Sequence, residues 1–510
     1  MLADVINKIA GLIRSRRFLL IVLAFFIFES IWIAFSAVYP QAFDENFHFG
    51  LIQIYSHYWL PFLNHQPPNA NAFGAVARDP SYLYHYLMSF PYRFIALFTH
   101  SQTVQIILLR LIDIVLFGIG LVLFHKALIR AGFSRSIANV SILFFVLIPV
   151  VPQLAAQINY DDLLFPLVSW TCLLSFDVIG ELKRKRPSTR TILTWSIVCL
   201  FTGMVKYAFL PIFLAEFLFL GIMAYRTYKG KLKTFFTQLL QSFTKLSHLT
   251  KTLLVALLLL GVGLFIQRDG VNLIKYHSIA PNCASVLNVH DCSAYSAWDY
   301  NYNQHLQVSA KTISASDNLA EYTGNWLYWM WYRLFFAVNG PNSAFTNYPP
   351  LPIPSATAAL IGVAGIGAII KWRRRLFHNN PYTVFLVVIS LIYVLVLFLQ
   401  GYSSYRYTAI LENQNGRYLL PILILVTAVA AQAFNFWLRK RLVSKVVLVV
   451  LVLALFLQGG GFLTFITRSD PTWDWSNSTV LKVNNTARKI TNKVVVNGSK
   501  SYSTSRWFFN

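Results

Sequence analysis

Four short stretches hold residue types that could move a group from a phosphate to a hydroxyl. Phe43-Asp44-Glu45-Asn46-Phe47-His48-Phe49 sets two adjacent carboxylates and an imidazole just beyond the first long apolar run. In a helix Asp44 and His48, four apart, share a face. A carboxylate there can accept a hydroxyl proton as general base, with His48 binding substrate or orienting the carboxylate. A solvated loop capping the next helix is the plainer alternative. Asn159-Tyr160-Asp161-Asp162 is a second acidic group. The two groups could share a divalent cation through oxygen ligands, or bind sugar hydroxyls. Equally, Asp161 or Asp162, preceding Leu163, suits a helix N-cap. Lys206 sits between two apolar runs and can pair with an anionic lipid phosphate, or simply snorkel to the interface. Glu412-Asn413-Gln414-Asn415-Gly416-Arg417-Tyr418-Leu419-Leu420-Pro421 leads into a further run. Gly416 lets the backbone turn, and the planar fork of Arg417 suits a phosphate. Arg406 lies just upstream, and interfacial anchoring is the alternative for both. Together these are cations to stabilise charge building on a leaving phosphate and a carboxylate to take the acceptor's proton.

The composition sets where such residues must work. The chain has 510 residues, 43 Lys and Arg against 19 Asp and Glu, a formal charge of +24 and a pI near 9.9. That balance alone suggests a nucleic-acid binder. Charged residues are only 12% of the chain, however, and hydrophobic ones 56%, with a mean hydropathy of +0.53. A soluble protein carries about 25% charged residues. The numbers exclude a soluble nucleic-acid binder and imply an all-α polytopic membrane protein.

Apolar runs of roughly 20 residues cross about 30 Å of hydrocarbon. Eleven are expected to span: Phe18–Val38, Val104–Phe124, Ile137–Val151, Leu163–Ile179, Thr191–Val205, Ala208–Ala224, Leu253–Phe265, Ala356–Ile370, Val384–Gln400, Leu419–Phe436 and Val446–Phe465. Basic clusters at Arg14–Arg17, Lys126–Arg135, Lys183–Arg190, Arg226–Lys251, Lys371–Arg375 and Arg439–Lys445 alternate with them. By the positive-inside rule this places the N-terminus in the cytoplasm of a multi-pass plasma-membrane protein, and most of the positive charge becomes a topology signal. The first run is read as an uncleaved helix, since no small-residue cleavage pattern precedes Tyr39-Pro40. No internal repeat is visible. The expected organisation is a membrane module over 1–466, with a long first outer loop (39–103) and a small outer cap segment (267–354). An extracytoplasmic tail follows over 467–510. Leu51–Leu60 is expected to form an amphipathic interfacial helix. Cys283 and Cys292, in the outer segment, are expected to form a disulfide, with two free thiols as the alternative.

These residues carry a resemblance. The chain resembles GT-C-superfamily glycosyltransferases, the polyprenyl-phosphate-sugar-dependent membrane class. It is nearest to a branch related to protein mannosyltransferases and aminoarabinose transferases. Asp44-Glu45-x-x-His48 is similar to the acidic motif of that superfamily's first outer loop. Arg78-Asp79-Pro80-Ser81-Tyr82-Leu83-Tyr84 resembles its His-Pro-Pro-Leu-Tyr-Tyr segment, departing at Asp79 and Ser81. Asn159-Tyr160-Asp161-Asp162 resembles the second acidic motif. Lys206-Tyr207 resembles Lys-Tyr-Thr-Gly, with Ala208-Phe209 in place of Thr-Gly. Asn415-Gly416-Arg417-Tyr418-Leu419-Leu420-Pro421 is similar to Gln-Gly-Arg-Tyr-Leu-x-Pro. The resemblance implies a GT-C-like bundle and an inverting transfer of a sugar from a polyprenyl-phosphate donor to a glycan, lipid or protein outside the membrane. It implies Asp44 as general base, Asp161 or Asp162 assisting, and Lys206 and Arg417 holding the lipid phosphate. Glu45 and His48 would bind substrate or a divalent cation, whose need is left open. Asn159, Tyr82, Tyr207, Arg406 and Tyr418 join the expected substrate contacts. A transporter or flippase of polyprenyl-linked glycans shares the bundle and the cations, and a noncatalytic assembly subunit is a third reading.

Overall fold

In the computed structural model the chain is described over residues 2–335, 337–341, 345–347, 352–411, 414–439, 441–459 and 464–494. It is almost wholly helical. The first part runs α1 (Leu2–Arg14), α2 (Arg16–Ser36), α3 (Glu45–Tyr55), α4 (Leu83–Ala96), α5 (Gln102–Arg130), α6 (Arg135–Val146), α7 (Val150–Ala155), α8 (Asp161–Lys183), α9 (Thr189–Val205), α10 (Leu210–Thr227), α11 (Leu232–Thr244) and α12 (His248–Phe265). The middle of the chain holds α13 (Val271–Tyr276), α14 (Cys283–Val286), α15 (Val289–Cys292), α16 (Ser296–Ser309) and α17 (Leu319–Phe335). A small antiparallel hairpin, β1 (Ala337–Asn339) with β2 (Phe345–Asn347), follows it. The rest is α18 (Pro352–Lys371), α19 (Arg373–Phe377), α20 (Pro381–Thr408), α21 (Leu420–Trp437), α22 (Leu442–Gly459), α23 (Thr464–Arg468) and α24 (Ser478–Val494).

Each of the eleven expected runs lies mostly on helix over its described residues. Seven helical segments are long and apolar enough to cross a membrane, and four are shorter apolar helices: Arg135–Val146, Thr189–Val205, Thr357–Lys371 and Leu442–Leu455. The fold therefore defines a multi-pass membrane protein. Ser15, Ser134, Ser188 and Ser247 each accept a backbone N–H at the start of α2, α6, α9 and α12, satisfying one of the donors a helix leaves unpaired.

Two expectations are corrected in detail. The run Ile137–Val151 is not one helix. It breaks between α6 and α7 near Pro149, whose ring and missing N–H cannot continue the helix before it. The expected interfacial helix at Leu51–Leu60 instead spans Glu45–Tyr55, with Phe49, Leu51, Ile52 and Tyr55 buried, and Trp59 and Leu60 lie exposed beyond it. It starts early because the left-handed pair Phe43 and Asp44 turns the chain directly into Glu45. The tail, over its described part, packs against α2. Val38 N–H donates to the Trp473 carbonyl at 2.8 Å and Trp475 N–H to that of Ser36 at 2.9 Å, while Trp32 bonds Asn484. The tail thus caps the end of α2, beside the first acidic motif.

The core centres on α5 against α8. Phe165 stacks on Phe117 (4.2 Å) and Phe145 (5.2 Å). This rigid packing matters because α5 and the entry to α8 both hold groups beneath the site. Cys283 and Cys292 are disulfide-bonded, closing the α14–α15 loop, whereas Cys172 and Cys199 are buried free thiols.

Candidate functional site

The site begins with a loop that would not hold its shape alone. Phe43 (φ 62°) and Asp44 (φ 65°) are both left-handed, a conformation that costs a non-glycine residue about 1–2 kcal/mol. Glu45, next along, offsets this. Its carboxylate is fully buried and takes Arg110 Nε and Nη2 at 2.7 Å each, as well as the backbone N–H groups of Gln41 (2.7 Å) and Ile158 (3.1 Å). Arg110 also donates to the carbonyls of Ala34 (3.1 Å) and Ala37 (2.7 Å) at the end of α2. One bidentate pair therefore ties together the end of α2, the start of α3, helix α5 and the strand of chain entering α8. Asn159 adds a bond from Nδ2 to the Phe43 carbonyl at 3.1 Å.

With Glu45 turned inward, Asp44 points the other way. Its side chain is 71% exposed, makes no helix-capping bond, and meets Arg417 Nη2 at 3.4 Å. Arg417 itself is seated, only 10% exposed, with its guanidinium 4.6 Å from the Phe43 ring and 5.1 Å from the Tyr418 ring. Lys206 also approaches Tyr418, 5.5 Å from that ring and 4.3 Å from the Tyr160 ring, and pairs with Asp161 at 2.7 Å. The result is a row of groups, Asp44, Arg417, Tyr418, Lys206 and Asp161, in which two cations share one aromatic ring. The acidic turn is capped differently from either expectation. Asn159 Oδ1, and neither Asp161 nor Asp162, accepts a backbone N–H there, that of Asp161 at 3.0 Å. Asp161 is thus left to Lys206.

The segment bearing Arg417 is a 3-10 turn, Gly416–Leu419, held by Asn415 Oδ1 on the Arg417 N–H (3.1 Å) and by Tyr393 Oη on the Tyr418 carbonyl (2.8 Å). Gly416 is needed here for room. A Cβ would stand 2.6 Å from Leu334 Cβ, 2.8 Å from Leu334 Cα and 2.9 Å from the Met330 carbonyl oxygen. Two of those atoms are backbone and cannot swing away. Gly416→Ala should therefore shift the turn and lower stability by about 1–3 kcal/mol, read as a fall in thermal midpoint in detergent. An unchanged midpoint would mean that α17 yields to the methyl group.

His48 and His85 form a buried pair beside this row, Nδ1 to Nε2 at 2.9 Å, with Tyr160 edge-on to His48 at 4.5 Å. Burial first, and then His85 and the cations Arg417 and Lys206, hold His48 well below its usual 6.5; burial lowers His85 to about 3. Both are neutral at pH 7, one ring donating and the other accepting. Because the folded values are depressed, the unfolded chain takes up protons first as pH falls. Stability supplied by neutral His85 is complete above about 6.5 and is lost progressively toward pH 3. The thermal midpoint should drop between pH 6.5 and 5, and His85→Phe should flatten that slope. A slope unaltered in the variant would assign the acid sensitivity elsewhere.

The remaining expected residues lie apart from the row. Glu45 is locked in the Arg110 latch. Asp162 is buried, with no hydrogen-bond partner for either oxygen among the described residues. Tyr82 is buried against Met204 Sδ (3.5 Å), with the Arg268 guanidinium 4.3 Å over its ring. Tyr207 donates its N–H to Ser81 Oγ and accepts Gln400 at its hydroxyl. Arg406 pairs with Asp317, in the chain between α16 and α17. Glu412 and Asn413 lie outside the described residues, as do 495–510 of the tail. No three His, Cys, Asp or Glu side chains among the described residues converge to hold a metal ion. Arg110 and Tyr160 are site residues beyond those expected from the sequence. An arginine in an otherwise apolar run is costly unless paired, which was the available signal for Arg110. Tyr160 stood inside a quoted motif, its role visible only once its ring met Lys206.

Comparison with protein-family models, with curated proteins and with solved structures finds no match to this chain.

Proposed function

We propose that the protein is an inverting glycosyltransferase of the GT-C type, moving a sugar from a polyprenyl-phosphate donor to a hydroxyl of a cell-envelope glycan, lipid or protein at the outer face of the plasma membrane. The observation that carries this reading is the placement of an exposed carboxylate, Asp44, 3.4 Å from a seated arginine that shares the Tyr418 ring with Lys206. In the step proposed, the acceptor oxygen attacks the sugar's anomeric carbon from the face opposite the phosphate. Its proton passes to Asp44, the bond from carbon to phosphate oxygen breaks, and polyprenyl phosphate leaves with the electron pair. Arg417 and Lys206 stabilise the charge gathering on that phosphate. Rings at Phe43, Tyr160 and Tyr418 exclude water from the cations and strengthen this effect. Glu45 and Arg110 act as positioning residues for Asp44.

The N-terminus is cytoplasmic in this reading, all eleven apolar helices cross, and the tail lies outside with the site. A flippase is the second reading, and Glu216 is the observation in its favour. It is a fully buried carboxylate within the span Tyr207–Thr227, met by Trp195 Nε1 at 2.8 Å and Ser175 Oγ at 3.0 Å with no ion pair among the described residues. Membranes bearing the wild-type chain or Asp44→Asn, supplied with labelled polyprenyl-phosphate sugars and a range of acceptors, separate the two. Equal transfer by both would remove Asp44 as base. Movement of donor across sealed vesicles without transfer would establish the flippase.

A further inference from the structure

The basic segment between α10 and α12 has a second property, independent of the glycosyltransferase reading. Helix α11 carries two apolar faces. One packs inward: Phe235 meets the Tyr228 ring at 5.5 Å, Thr189 N–H bonds Ser242 Oγ at 3.2 Å, and Thr189 Oγ1 bonds the Leu239 carbonyl. The other face, Leu232, Phe236 and Leu240 at four-residue spacing, is left 39%, 61% and 65% exposed. Residues i, i+4 and i+8 form one stripe, so this face points away from the bundle as a unit. The helices on either side, α10 and α12, belong to segments long and apolar enough to cross a membrane. Chain joining two consecutive spans leaves and re-enters the bilayer on one face, which keeps α11 within reach of the lipid surface.

Charge selects the lipid. Arg226, Lys229, Lys231, Lys233 and Lys245 are exposed around this helix, and no acidic residue lies between Glu216 and Asp269. We propose that α11 lies in the headgroup layer of an anionic bilayer, with Leu232, Phe236 and Leu240 among the acyl chains and the flanking lysines on lipid phosphates. A helix with an apolar stripe and a basic surround binds this way, at a depth of about 5–10 Å. A second copy of the chain would bring the same positive charges against this face and is disfavoured by them.

The test uses the full chain in nanodiscs of phosphatidylcholine, with or without about 30% phosphatidylglycerol. Phe236→Cys carries a nitroxide, and the unlabelled background is low because Cys172 and Cys199 are buried. In anionic discs the label should collide with oxygen more than with a water-soluble nickel chelate. Replacing Lys229, Lys231, Lys233 and Lys245 together by Gln should lower the ratio of phosphatidylglycerol to phosphatidylcholine retained by the protein. The expected drop is at least about fivefold, the worth of one lysine at an anionic surface. These are exposed side chains, so an unchanged thermal midpoint certifies the fold. A label open chiefly to the nickel chelate would overturn the proposal by showing a solvated helix. A label shielded from both probes would overturn it in favour of a protein partner or a second copy. An unaltered lipid ratio in the Gln variant would overturn the anionic preference.

Discussion

Asp44→Asn is expected to lower the turnover of sugar transfer by on the order of 10²–10⁴-fold, the usual contribution of a positioned general base. Donor KM should change little. The asparagine keeps the size and polarity of the side chain, so the loop and its Glu45 anchor stay in place. What is lost is the site for the acceptor's proton. Arg417→Ala should differ in kind. It removes charge stabilisation that grows toward the transition state and also a contact to bound donor, so turnover falls by about 10²–10³-fold while donor KM rises. Asp44 and Arg417 touch at 3.4 Å, and the double variant should therefore lose less than the product of the single losses. Strict multiplicativity would argue that they do not act together. The measurement is initial rate against donor concentration in membranes normalised for protein. An Asp44→Asn rate within a few-fold of wild type would end the proposed role.

Arg110→Met is expected to destabilise the protein by about 3–5 kcal/mol, the cost of leaving a buried charge without its partner. Glu45 would remain buried without its cation, and the Ala34 and Ala37 carbonyls would lose their donor. Much of the chain should then fail to accumulate in the membrane. Glu45→Gln tests the same latch from the other side. It preserves the shape but leaves Arg110 buried and unpaired, so its thermal midpoint should also fall. The readout separates positioning from chemistry. A substrate-contacting Glu45 would give a Gln variant of normal midpoint and no transfer; the positioning latch gives a lowered midpoint, with turnover per folded molecule also reduced and donor KM little changed.

How far the site was legible differs residue by residue. Asp44, Arg417, Lys206 and Asp161 were singled out because ionisable groups at the edge of apolar runs are expensive, so each demands a reason. Their pairing was not legible. Asp44 and Arg417 lie 373 positions apart in the chain, and no spacing rule links them. Glu45 was grouped with Asp44 as its neighbour. The left-handed turn sends the two carboxylates opposite ways, one to solvent and one to Arg110. Gly416 reads in the sequence as a place for the backbone to turn, whereas in the fold it is the close approach of Leu334 and the Met330 carbonyl that requires it.

For the fold, hydropathy and the alternation of basic clusters were enough to mark eleven helical segments, because a bilayer requires every backbone group in it to be satisfied within its own segment. That is a local demand, and the sequence alone answers it. Proline at the break after α6 is a local signal of the same kind. What only the tertiary structure decided is non-local: the tail clasping α2, the buried Arg110 under the first motif, and the approach of two cations to the ring of Tyr418. Each depends on groups from segments far apart in the chain meeting within a few ångströms, which no local spacing rule reveals.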